Sequence, residues 1–162
     1  MRSPLPSPLV SALPSPLPDP LGMGGGGLGP ELVTNGNFSA DTDWSKDAAW
    51  TIPSPFGAAV YDDTASGSIQ QVKTWGMVNG RTYRIAFEVA DLASGTALIR
   101  PSIVQYAGNI IQGVYSDYAN GGHELFYTLT NIHTVNVVDF RVLAVDTSGP
   151  FKLKNVSIRQ VL

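Results

Sequence analysis

Between Thr82 and Val89 a large apolar residue recurs at every second position, and an Asn-Gly pair at 79–80 stands just before them. Both residues of that pair tolerate positive φ, which makes Asn-Gly a strong hairpin-turn signal. In an extended strand side chains alternate between faces, so Tyr83, Ile85, Phe87 and Val89 share one side while Thr82, Arg84, Ala86 and Glu88 share the other. A strand with one oily face must be covered by further apolar surface. The rest of the chain therefore has to supply a second layer.

The remaining sequence supplies strands. Leu32-Val33 opens a short apolar segment that breaks at Asn35-Gly36, and Trp44 ends the polar loop after it. Residues 49–52 and 58–61 are short strand candidates separated by Pro53 and Pro55. Residues 68–75 form another, with Gln70 and Gln71 at the centre; residues 97–106 and 110–114 form a pair turned at Gly108-Asn109. Strands are also expected over 123–129 and 135–145, the latter alternating through Val138, Phe140, Val142 and Ala144. In the last strand, 151–161, the apolar residues run Phe151, Leu153, Val156, Ile158, so the period slips by one near Asn155 and predicts a β-bulge there. Many short strands, turn residues between them and no helical period spell an all-β jelly-roll β-sandwich of two antiparallel sheets. The first and last strands are both apolar and are expected to lie side by side.

The first thirty residues are of a different kind. Ser-Pro-Leu-type repeats place Leu5, Leu9, Leu13, Leu17 and Leu21 four residues apart, and seven of the twelve prolines fall within residues 1–21. Proline at alternate positions removes backbone donors, leaving an extended chain at about 3.1 Å per residue. Plain spacers avoid a large apolar residue every fourth position, so a docking arm is favoured over a simple linker. The glycine-rich residues 22–29 read as a swivel. The expected division is an arm and swivel over 1–30 and the jelly-roll module over 31–162.

Composition narrows the chemistry. The net charge is −3 with no basic cluster, so neither nucleic acid nor an anionic membrane is an expected partner. No apolar run reaches the length of a membrane span, and none has the form of a signal peptide. There is no cysteine, which removes thiol chemistry and disulfides. The two histidines, His123 and His133, lie outside any metal-binding motif, and the acid pairs Asp41/Asp43 and Asp62/Asp63 sit in polar turns that they would stabilise. No catalytic residue, metal or cofactor is expected, and the chain does not read as an enzyme. Flat rings beside polar residues are what a sugar would use, which makes Tyr115, Tyr118, Trp50 and Trp75 the candidate glycan contacts. The stretch from Tyr115 to Gly122 is the better of these places, whereas core packing is favoured for Trp44.

Leu32-Val33-Thr34-Asn35-Gly36-Asn37-Phe38-Ser39, Trp44, Ile69-Gln70-Gln71-Val72, the stretch from Asn79 to Val89 and Lys154-Asn155-Val156-Ser157-Ile158 together resemble carbohydrate-binding modules with a galactose-binding-like jelly roll. That resemblance implies the sandwich fold and a glycan ligand. It also implies a structural calcium held by acidic residues near the first and last strands. Here those places read Gly36-Asn37-Phe38 and Lys154-Asn155-Val156, with Asn or Lys where a carboxylate would serve. The arm is similar to the N-termini of tailed-bacteriophage head-spike or fibre proteins. It implies a structural virion protein, docked through residues 1–21 on a capsid or tail partner, displayed on the particle surface and able to assemble there in several copies. The alternative is a free-standing carbohydrate-binding module. The leucine-bearing arm, which sugar binding does not need, favours the virion.

Overall fold

The computed structural model of the protein describes residues 27–105, 110–130, 136–142 and 149–162. The arm with Leu5, Leu9, Leu13, Leu17 and Leu21, the turn at Gly108-Asn109, His133 and Ala144 lie outside the described residues.

Eleven strands, and no helix, occur among the described residues. In chain order they are β1 (Ser45–Lys46), β2 (Trp50–Thr51), β3 (Ala59–Tyr61), β4 (Gly67–Lys73), β5 (Thr82–Ala90), β6 (Ala97–Gln105), β7 (Ile110–Gln112), β8 (Ser116–Tyr118), β9 (Gly121–Thr128), β10 (Asn136–Val142) and β11 (Phe151–Gln160). One sheet runs β1-β4-β10-β6-β7, with β8 also paired to β6; the other runs β2-β3-β11-β5-β9. Every pairing is antiparallel. The protein is an all-β jelly-roll sandwich.

The alternation over β5 holds as read. Tyr83, Ile85, Phe87 and Val89 are buried in the core, while their neighbours stay partly exposed. Phe87 meets Phe140 of the opposite sheet at 5.3 Å between ring centroids, edge to face, and Tyr127 ties the sheets at another point by donating from its hydroxyl to the Pro101 carbonyl at 2.9 Å. Burial, with a smaller contribution from Tyr118, pushes the Tyr127 phenol up to about 12. At the other end of the core Trp50, Tyr61 and Phe151 form an aromatic triangle with centroids 5.3–5.6 Å apart.

The slipped period in the last strand is a bulge. β11 pairs with β5 on either side of Lys154/Ser157, where the register shifts, and Asn155 takes φ 51°. Two further strands, β1 and β8, are absent from the sequence reading.

The expected opening strand at Leu32-Val33 is not a strand, although it does lie beside β11. Leu32 N–H donates to the Ile158 carbonyl, Gly29 N–H to Gln160 and Leu162 N–H to Gly27, so the chain joins the sheet from Gly27 onward. Glu31 explains why a regular ladder fails. Its Oε1 accepts from the backbone N–H groups of Leu32, Val33 and Ile158, and Oε2 accepts from Ser157 Oγ and Arg159 Nε. A side chain that takes these donors competes with strand pairing. Partial burial raises the Glu31 pKa, but the hydrogen bonds from Ser157, Ile158, Val33 and Arg159 outweigh it, so the carboxyl sits below its ordinary range. Gln71 fastens the same segment to the opposite sheet: its buried amide accepts from Thr34 N–H at 3.3 Å and donates back to the Thr34 carbonyl.

Candidate functional site

Three of the four rings singled out for glycan contact belong to the core. Trp50 is 2% exposed, Trp75 5% and Tyr118 7%. Trp75 is further covered by Lys73, whose ammonium lies 4.4 Å from the ring centroid. Tyr118 turns inward because β8 pairs with β6, setting it opposite Ala97 and against Phe87 at 5.1 Å and His123 at 4.9 Å. A ring with both faces packed offers no platform to a sugar. Tyr115 alone is half-buried, and its ring lies 4.9 Å from the Arg100 guanidinium.

That contact leads to the outer face of the six-stranded sheet. Val138 and Phe140 point into the core, so Asp139 and Arg141 point the other way. Register places Asp139 between Gln70 of β4 and Ser102 of β6. The adjacent row sets Arg141 between Ser68 and Arg100. Beyond Ser68, the Asp47 carboxylate accepts from the Ser68 N–H at 2.9 Å and its hydroxyl at 3.0 Å. Val72, at 45% exposed, borders the polar rows on one side.

The face is polar and yet deep. Asp139 is only 5% exposed and Ser102 not at all, although both sit on the sheet's outward side. Gly113 shows how closely the chain after β7 approaches. A Cβ there would stand 2.4 Å from Ser102 Cβ, and its φ of 147° excludes most side chains. Within the face, Asp139 Oδ1 and Arg100 Nε are buried without a hydrogen-bond partner. Buried polar atoms are ordinarily satisfied, so two unsatisfied ones on neighbouring strands are a local cost of placing these groups here. Burial pushes the Asp139 carboxyl up to about 6 against the pull of Arg141 and Arg100, with Asp47 adding a smaller upward push.

The outer face of the other sheet is different. One hollow of about 480 Å³ is lined by Ala86, Glu88, Gly122, Glu124 and Asn155, and another of about 520 Å³ by Phe56, Val60, Asp91, Lys152 and Lys154, among others. Their charges are already matched: Lys152 pairs with Asp91 at 2.6 Å, Lys154 with Glu88 at 3.9 Å, and Arg84 with Glu124. His123 packs against Phe87 and Tyr118, with Nε2 2.8 Å from the Ala119 carbonyl. Among the described residues no three His, Cys, Asp or Glu side chains converge as a metal site would require. Asn155, in the region where calcium would sit, donates instead to Glu88 at 2.7 Å. The turn carboxylates act locally: Asp62 accepts from Thr64, Asp41 pairs with Lys46, and Asp43 and Asp63 occupy positive-φ positions.

Sequence reasoning missed Arg100, Asp139 and Arg141. The run Val138-Asp139-Phe140-Arg141 carries the signal, because polar residues between two core residues must face outward. That Arg100 stands opposite them is decided by strand pairing.

No protein-family model and no curated protein matches the sequence. Solved structures match in fold. The enzymatically active domain of tailspike protein 4 from bacteriophage CBA120 superposes with a TM-score of 0.57 at 17% identity, over 81% of this chain and 21% of that one. The CBM22-1 xylan-binding domain from Paenibacillus barcinonensis Xyn10C gives 0.53 at 11% identity, over 82% of this chain and 96% of that one. The Stig cyclase Fisc from Fischerella sp. TAU gives 0.60 at 7% identity, over 83% and 98%. The chain therefore spans about a fifth of the tailspike chain and nearly all of the other two. One fold here carries a binding domain and a cyclase, so fold does not by itself assign function. What the likeness establishes is architecture: the chain has the jelly-roll β-sandwich fold of carbohydrate-binding modules.

Proposed function

We propose that the protein is a non-enzymatic carbohydrate-recognition module whose ligand lies across the outer face of the six-stranded sheet. The observation that carries this reading is the accessible polar row of Gln70, Arg100 and exposed Arg141 on a face bordered by the half-buried Tyr115 ring, which lies 4.9 Å from the Arg100 guanidinium. Sugar hydroxyls both donate and accept, while sugar C–H groups suit a ring or a valine such as Val72. Calorimetric titration against a panel of oligosaccharides tests it. At least one should bind saturably, and Tyr115→Ala should weaken that binding at least tenfold, equivalent to about 1.4 kcal/mol. Binding that survives Tyr115→Ala unchanged, or no binding across the panel, would sink this placement.

The setting we propose is the surface of a tailed-bacteriophage particle, where the chain is a structural head-spike, fibre-base or decoration protein held to a capsid or tail partner by Leu5, Leu9, Leu13, Leu17 and Leu21. The four-residue leucine repeat favours this setting over a free-standing binding module, because a sugar site needs no such arm. The fold likeness to a tailspike domain is compatible with it. Deleting residues 1–26 should leave the melting temperature nearly unchanged while abolishing incorporation into particles. A melting temperature many degrees lower would mean that the arm packs on its own module.

A further inference from the structure

We propose that the glycan held on this face is anionic, a saccharide bearing the carboxylate of a uronic acid. The inference rests on the reading of the face as a glycan site. Register sets Arg141 directly opposite Arg100 on neighbouring strands. Like charges in that position repel and weaken a sheet unless something neutralises them. Among the described residues nothing does so by an ion pair: the five salt bridges engage Lys46, Arg84, Lys152, Lys154 and Arg159.

The carboxylates near the arginines form no ion pair with them, although Asp139 is drawn by both. Asp47 lies across Ser68 and spends one oxygen on the Ser68 N–H and hydroxyl. Asp139 lies one row away on the same strand as Arg141, buried, with Oδ1 unpartnered. The Tyr115 ring lies against one guanidinium, that of Arg100, at 4.9 Å. Planar guanidinium groups match a carboxylate through paired N–H donors, which an ammonium cannot do. The protein's net charge of −3 gives it no general attraction for anions, so recognition of one has to be local. Gln70, opposite Asp139 and partly exposed, supplies a donor and an acceptor for hydroxyls beside the acid.

The test is calorimetric titration of the full chain at pH 7.5 with trigalacturonate, its methyl ester, a sulfated disaccharide and inorganic phosphate. Trigalacturonate should bind at least tenfold more tightly than its ester, and Arg100→Gln and Arg141→Gln should each remove that preference. Arg141 is exposed, so its variant keeps the test open even where Arg100→Gln perturbs folding. Ester and acid binding equally, both weakened by Tyr115→Ala, would overturn the charge assignment and leave the glycan site standing. No binding of any sugar would overturn both. Tighter binding of the sulfated sugar, or phosphate competing as well as the trisaccharide, would overturn the uronate assignment, and so would acid binding unaffected by Arg141→Gln.

Discussion

Phe87→Ala is expected to lower the unfolding free energy by about 3–5 kcal/mol. The ring is 2% exposed and sits where the two sheets meet, 5.3 Å from Phe140 across the sandwich and 5.1 Å from Tyr118 on its flank. Truncation removes the transfer free energy of the ring and leaves a cavity that three surrounding rings, anchored on different strands, cannot close together. Urea unfolding should show a lower midpoint with little change in slope, because the surface exposed on unfolding hardly alters. Arg84→Ala is the matched comparison. It lies on the opposite face of the same strand and loses a half-exposed ion pair with Glu124, which is worth about 0–1 kcal/mol. Equal losses for the two variants would mean that the buried face of β5 is wrongly assigned.

Gly36→Ala should cost about 3 kcal/mol or more, through backbone collision and not through conformational preference. A Cβ at this position would stand 1.9 Å from the Val156 carbonyl oxygen and 3.0 Å from its carbon. The two residues are held together by the Val156 N–H donating to the Gly36 carbonyl at 2.8 Å, immediately after the positive-φ residue of the bulge. Backbone atoms have no rotamer to move into, so relief requires breaking that hydrogen bond or shifting the bulge. Gly122 provides the contrast, since a Cβ there meets nothing within 4 Å and its φ is ordinary. Gly122→Ala should melt within a degree or two of the parent, whereas Gly36→Ala should melt far below it. If both variants melt together with the parent, the close approach of residues 36 and 156 is not present in solution.

Gly36 also shows how a correct signal can have a different cause. In the sequence it stands in Asn35-Gly36 and reads as a turn. In the fold the neighbouring Asn35 takes the positive φ, 48°, and its side chain organises the loop by donating to the carbonyls of Ala40 and Thr42. The glycine is needed because the last strand passes so close. Trp50 and Trp75 teach the same point from the other side. Both are sealed into the core; Trp50 is covered by Tyr61 and Phe151, the latter about a hundred residues away in sequence.

The sequence alone determined what depends on near neighbours along the chain. A period of two fixes which side of β5 is buried, since consecutive side chains must point to opposite faces. A one-residue slip in that period located the bulge at Asn155, because an extra residue is what keeps both halves of β11 facing inward. The candidate site depended on something else. Asp139 lies between Gln70 and Ser102, and Arg141 faces Arg100, only because β10 pairs with β4 and β6 in one register. A shift of one residue would turn every one of those side chains to the other face. That register is set by Phe140, Val138 and Phe87 packing across the sandwich, contacts between residues more than fifty positions apart in the case of Phe87 and Phe140, and no local pattern encodes them.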